Sequence, residues 1–211
     1  MLQVLTRKFE RNWEDYGLRA AVSKTVQYLF KVVYQRTDYR LYRLDLAHKA
    51  TESPSGPPGV DFRFIDVTDH DVIDQIEANS EWLQDTVKAR LAAGAMCLVA
   101  FEDGILAGFN LVSFGDVFMP LVNLSRRFRA DEAWSEQIAT MKTYRKKGLA
   151  SQLRFRVIEE LRRRGVRMFY GGARSDNLPS LGLAKRVGFS EFVEIRYVRF
   201  LRYERRRFVR V

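Results

Sequence analysis

A short basic turn runs straight into an amphipathic stretch at Tyr144, Arg145, Lys146, Lys147, Gly148, Leu149, Ala150 and Ser151. The start of a helix carries unsatisfied backbone N–H groups and the positive end of the helix dipole, so it attracts anions. Gly148 lets the chain turn and approach a phosphate closely, Arg145, Lys146 and Lys147 add positive charge, and Ala150 leaves the first helical turn uncovered. These residue types suit a ligand that carries a diphosphate. The spacing excludes two common phosphate binders, because neither G-x-x-x-x-G-K-[ST] nor G-x-G-x-x-G occurs.

The residues after the turn must position it. Leu149, Leu153, Val157 and Leu161 recur every four residues beside Ala150 and Ile158, which gives one apolar helical face. Arg162, Arg163, Arg164 and Gly165 form a helix end, and residues 166–173 read as a strand. Asn177, Leu178, Pro179 and Ser180 then start a second helix that closes at Gly188 and Phe189.

Two motifs, R-x-x-G-x-A at 145–150 and N-x-x-S at Asn177 and Ser180 followed by Gly188-Phe189, stand in order. On them the chain resembles the GCN5-related N-acetyltransferase (GNAT) superfamily, over residues 60–211. The resemblance implies an α/β (α+β) fold with a mixed central sheet flanked by helices. It implies an acyl-CoA co-substrate and an acyl transfer to an amine by direct attack, most simply from acetyl-CoA. It also implies that Ile138, Ala139 and Thr140 on a fourth strand meet the pantetheine arm through backbone groups. Backbone N–H groups of Lys146, Lys147, Gly148, Leu149, Ala150 and Ser151 would hold the diphosphate, and Asn177 would touch the pantetheine on the acceptor side.

The proton-handling residues depart from the family pattern. The tyrosine that many members use as general acid is replaced by Ala184, and the glutamate that others carry on the fifth strand corresponds to Gly172. Glu136, just before the cofactor-contacting stretch, is the candidate base; a partly buried carboxylate has a raised pKa and can draw a proton from an ammonium through water. The competing reading is a solvent-facing strand residue. Tyr144 and Tyr170 are weaker candidates, and an amine that arrives neutral needs no protein base. Gly171, Gly172 and Ala184 remove bulk near the expected thioester, which would admit a longer acyl chain. No G-x-S-x-G elbow occurs and Cys97 sits in an apolar run, so no covalent intermediate is expected.

Other elements follow from periodicity. Strands are expected at residues 62–67, 95–101, 105–113, 133–141, 192–203 and 207–211, with helices at 69–78 and 81–93. Residues 1–50 form an extension with an amphipathic helix, striped by Leu18, Val22, Val26, Leu29, Phe30 and Val33, and a strand at 39–46. A Pro/Gly-rich linker at 51–60 separates it from an acyltransferase domain at 61–211. The extension either packs on that domain or on a second copy, or rests on an anionic membrane.

Composition bounds the rest. The chain has 211 residues, 46% of them hydrophobic, which suffices for one cored domain. Neither a membrane-spanning run nor a signal peptide is visible, and the single cysteine points to a reduced compartment, so the expectation is a cytoplasmic protein that can also sit at a membrane surface. His48 and His70 are too isolated for a zinc site, and no metal is expected. The net charge of +10 concentrates in two places. Residues 142–167 hold ten basic and two acidic side chains, and residues 191–211 hold seven arginines and three glutamates. Coenzyme A accounts for part of the first cluster, whereas the second fits an anionic acceptor, a phospholipid surface or nucleic acid, without any signature of specific nucleic-acid reading. A homodimer through the closing strands is a further expectation from the resemblance. Two other functions stay open: a non-catalytic acyl-CoA-binding regulatory module, and a basic interaction protein with a degenerate cofactor site.

Overall fold

The computed structural model describes residues 33–47, 58–80, 83 and 86–211. The amphipathic helix expected near 18–33, apart from Val33, and most of the 51–60 linker lie outside them.

An eight-stranded mixed sheet forms the centre. Its strands are β1 (Tyr34–Asp45), β2 (Val60–Ile65), β3 (Met96–Glu102), β4 (Ile105–Ser113), β7 (Glu132–Thr140), β8 (Met168–Arg174), β9 (Ser190–Phe200) and β10 (Tyr203–Arg210). A separate hairpin pairs β5 (Asp116–Met119) with β6 (Leu124–Arg127). The α-helices among the described residues are α1 (His70–Ala78), α2 (Val87–Ala92), α3 (Leu149–Arg163) and α4 (Leu178–Val187). The order across the main sheet is β10-β9-β1-β8-β7-β4-β3-β2, and all pairs are antiparallel except β7 with β8.

The two faces of this sheet are buried by different elements. On one, α3 lays Leu149, Leu153, Val157, Ile158 and Leu161 against Leu98, Ala100, Ala107, Ala133 and Phe169, joined by Val187 and Phe189 from the end of α4. Each of the leucine, isoleucine, valine and phenylalanine side chains among these, fully buried, contributes about 1.5–3 kcal/mol. On the other, α1 and α2 bury Val72, Ile73, Ile76, Val87 and Leu91 over Cys97, Val99, Phe109 and Leu111. Beside them the β5–β6 hairpin packs Val117, Met119, Val122 and Phe128 on Tyr39, Leu41, Trp134, Tyr170 and Tyr197.

Several expectations change in detail. The strand expected at 39–46 is longer and lies inside the sheet, hydrogen-bonded to β8 on one side and β9 on the other. Pairing with partners far along the chain cannot be read from local periodicity. Of the stretch expected as a helix at 81–93, residues 81, 82, 84 and 85 lie outside the described residues, and Val87–Ala92 is helical; there Glu77 Oε1 accepts the Val87 N–H at 2.7 Å. The last hairpin turns at Leu201 and Arg202, with Leu201 left-handed, so β10 begins before the expected 207. The β5–β6 hairpin had no counterpart in the sequence reading.

Candidate active site

Parallel pairing between β7 and β8 covers only Glu132 to Trp134 against Met168 to Tyr170. Beyond that point the strands diverge, β7 running on beside β4 and β8 beside β1. The edges that face each other across the gap, Ser135 to Thr140 and Gly171 to Arg174, therefore have backbone groups free of ladder bonds. A cavity of about 350 Å³ occupies the opening. Ser135, Glu136, Gln137 and Ile138 line it from β7, Gly172, Ala173 and Arg174 from β8, and Asn177 and Ser180 from α4. A linear ligand with amide groups can add to such an edge as an extra strand does.

Glu136 is brought to this cavity by a bulge. Leu111 pairs with Gln137 and Val112 with Ser135, so Glu136 is the extra residue of β7. Asn110, completely buried in a strand that is otherwise apolar up to Val112, props the bulge by donating from Nδ2 to the Gln137 carbonyl at 3.1 Å. The Glu136 side chain is 7% exposed, which excludes the solvent-facing reading, and its carboxylate accepts from Arg90 Nη1 on α2. Burial raises its pKa above the ordinary carboxylate value, against the opposing pull of Arg90 and the Ser113 hydroxyl.

Two phenols from β1 reach the same cavity. Tyr42 lies over Gly171 and Tyr39 over Gly172; a Cβ added to either glycine would stand 2.4 Å from a ring carbon. The bulk that Gly171 and Gly172 leave out is thus filled by these rings, which corrects the expectation that they open room for a longer acyl chain. Tyr42 Oη donates to the Gly172 carbonyl at 3.4 Å, and its ring also borders the small recess at Ala184. Burial raises the pKa of both phenols, so both are protonated at neutral pH; Glu136 adds to the rise at Tyr39, and Arg154 offsets it at Tyr42.

The basic turn has the shape an anion site needs. Lys146 and Gly148 adopt left-handed φ of 65° and 82°, and Gly148 is the residue from which α3 starts. Arg145, Lys146, Lys147 and Gly148 are exposed, and nothing lies within 4 Å of where a Gly148 Cβ would be. Leu149 and Ser151 point inward and Ala150 is half-buried, so these three offer backbone rather than side chains. Arg145 Nε donates to the Thr140 carbonyl at 3.2 Å and ties the turn to the end of β7. Lys147 Nζ lies 3.5 Å from a Glu102 carboxylate oxygen. Ile138, Ala139 and Thr140 pair with β4 through Asn110, Phe109 and Gly108 and leave their other edge to the gap.

The remaining candidates fall as follows. Asn177 caps α4, its Oδ1 accepting the Ser180 N–H at 3.2 Å, while it also lines the cavity. Tyr170 donates to Glu132 Oε1 at 3.1 Å on the side of the sheet covered by the hairpin, and Tyr144 lies beside Lys147 in the basic turn, outside the cavity. Cys97 is completely buried, and burial pushes its thiol up to about 12, as an inert core cysteine requires. Among the described residues no group of three His, Cys, Asp or Glu could hold a metal ion, and no helix is long and apolar enough to cross a membrane. Sequence reasoning missed Arg90, Asn110, Tyr39, Tyr42 and Arg154. Only Asn110 left a local signal, as a polar residue inside the apolar run of β4.

The model of the acetyltransferase (GNAT) family matches residues 61–189. Among solved structures, a GNAT-family protein from Novosphingobium aromaticivorans superposes with a TM-score of 0.57 at 18% identity, over 79% of this chain and 66% of its own. A tandem GNAT protein from the clavulanic acid biosynthesis pathway gives 0.57 at 20% identity, over 92% of this chain and 57% of its own. A GCN5-related N-acetyltransferase from Sphaerobacter thermophilus gives 0.57 at 16%, over 89% and 57%. The chain therefore spans less than two thirds of the length of these structures. A comparison with curated proteins finds no match.

Proposed function

Since the chain belongs to the GNAT acetyltransferase family, we propose that it moves an acyl group from a coenzyme A thioester to an amine at the opening between β7 and β8. The observation that carries this reading is the end of β7–β8 pairing at Trp134 and Tyr170, directly above a cavity lined by both strands. Family membership supports an acyl-CoA co-substrate in general terms. The residues present fit it: the exposed turn at Arg145 to Gly148 and the first N–H groups of α3 accept phosphates, and the free edge of Ile138, Ala139 and Thr140 accepts the amides of pantetheine.

Within this reading each side chain has a task. Glu136 draws a proton from the incoming ammonium, directly or through one water, because its raised pKa makes it a stronger base than a surface carboxylate. Arg90 holds that carboxylate in place. Tyr42, the phenol that borders the recess at Ala184, returns a proton to the departing thiolate in place of the family's usual tyrosine. Asn177 and Ser180 fix the start of α4 at the cavity wall. Attack is direct, since Cys97 is sealed in the core.

The acceptor is an amine. The exposed Phe200, Tyr203 and Phe208 among Arg205, Arg207 and Arg210 support two further proposals for β9 and β10, contact with a second copy and rest on an anionic membrane. The test of the main reading is thiol release from acetyl-CoA with a panel of small amines. Amine-dependent release that Glu136→Gln lowers supports it. Tight binding of acetyl-CoA without release from any amine would instead favour the regulatory module.

A further inference from the structure

Arg154 is a group in the cavity that acyl transfer to a plain amine does not use. It lies on α3, about 9 Å along the axis from Gly148, and so stands apart from the turn that faces phosphates. It is 3% exposed and lines the cavity, and its Nη1 has no hydrogen-bond partner among the described residues. Its guanidinium sits 5.2 Å from the ring centroid of Phe169 and 5.6 Å from that of Phe189. The rings soften the loss of water without supplying a counter-charge.

The other cations of the cavity wall are matched. Arg90 is paired with Glu136, and Arg174 with Asp176. Arg154 is therefore the uncompensated charge of that wall among the described residues. A buried cation without a counter-ion is costly, and an anion brought to it gains both the charge attraction and short charge-assisted hydrogen bonds. Tyr39 lines the same cavity, and its hydroxyl, which the transfer does not use, can donate to a second oxygen.

We propose that Arg154 receives a carboxylate carried by one of the two reactants. The enzyme would then select a carboxylate-bearing acyl donor or an amino-acid-like acceptor over a neutral molecule of the same shape. A carboxylate fits because its two coplanar oxygens match the forked N–H groups of a guanidinium. The inference rests on the reading of the cavity as the acyl-transfer site and names the substrate class for it.

The test has a donor arm and an acceptor arm, both on the full chain. In the donor arm, CoA, acetyl-CoA, succinyl-CoA and the neutral carboxamide isostere of succinyl-CoA are titrated calorimetrically into wild type and Arg154→Met. In the acceptor arm, turnover of acetyl-CoA is compared for free amino acids and their amides. The expected result is a preference of roughly 10- to 100-fold for the carboxylate in one arm, which identifies its source. Arg154→Met should bring that preference close to unity while leaving the affinity for CoA itself unchanged.

Four results overturn the proposal. One is no carboxylate preference in either arm of wild type. Another is a preference that Arg154→Met leaves intact. The third is a loss that falls equally on CoA, which would make Arg154 a phosphate ligand. The fourth is a uniform fall in kcat without change in selectivity, which would mean that Arg154 acts through Tyr42. If Arg154→Met does not fold, the wild-type comparison of acid with isostere decides, with Arg154→Lys as the second variant. Failure of CoA itself to bind defeats the proposed function instead, and is a separate readout.

Discussion

Glu136 reaches the cavity only because the bulge turns it there and Asn110 holds the bulge open. Its chemistry makes two pH effects run in opposite directions. Burial favours the neutral acid, so its folded pKa lies above the unfolded one; the stability it contributes is present at low pH and is lost as pH rises through the folded value. Activity needs the carboxylate and should rise over that same window. Glu136→Gln is expected to lower kcat/KM about 10²-fold and to remove this acidic limb from the pH profile. A limb that survives the substitution belongs to another group. Tyr42→Phe should lower kcat more than it raises KM, because the phenol acts on the leaving thiolate; an unchanged kcat would hand proton return to solvent. At this scale the sequence was partly legible. Glu136 could be singled out from its place before Ile138, and the anion-binding turn from its residue types alone. Arg90, Tyr39 and Tyr42 could not, because they meet the site through folding of distant segments. Arg154 was counted with the basic cluster of residues 142–167, since the apolar stripe of α3 gave no sign that one arginine faces inward.

At the scale of elements, β1 joins the two halves of the sheet. It lies between β8 and β9 and supplies two aromatic rings whose places are kept by two glycines. Gly171→Ala and Gly172→Ala each push a methyl group into a buried ring, and each should cost about 1–3 kcal/mol in denaturant unfolding. Wild-type stability in both variants would show that the rings can shift aside. The helices and most strands were legible because their periodicity is local: α3 from its four-residue apolar repeat, β4 from its apolar run, α4 from Asn177 and Gly188. The order of strands was not, because register between segments far apart in sequence leaves no local mark. The β5–β6 hairpin was also missed; its strands are only four residues each, and although their burial alternates, the residue types of DVFM and LSRR do not.

For the whole molecule, the strand at the start of the described chain is part of the central sheet rather than an appendage to it. Removal of residues 1–47 would strip hydrogen-bonding partners from both β8 and β9 and uncover Ile195 and Tyr197, which are completely buried or nearly so. The truncated chain should be insoluble or lack a cooperative thermal transition; a truncation that melts like the full chain would show that the sheet closes without β1. Charge also acts at this scale. With a net charge of +10, and the exposed turn among its cations, binding of a polyanionic thioester should weaken as salt is raised. Whether a coenzyme A thioester is held between the turn at Gly148 and the open edge of β7 is decided by calorimetric titration of acetyl-CoA into wild type and Gly148→Asp. Wild type should show saturable one-to-one binding that the new carboxylate abolishes, by repelling the diphosphate and straining a left-handed backbone, with the fold intact by circular dichroism. Equal binding by both proteins, or none by wild type, would contradict this placement.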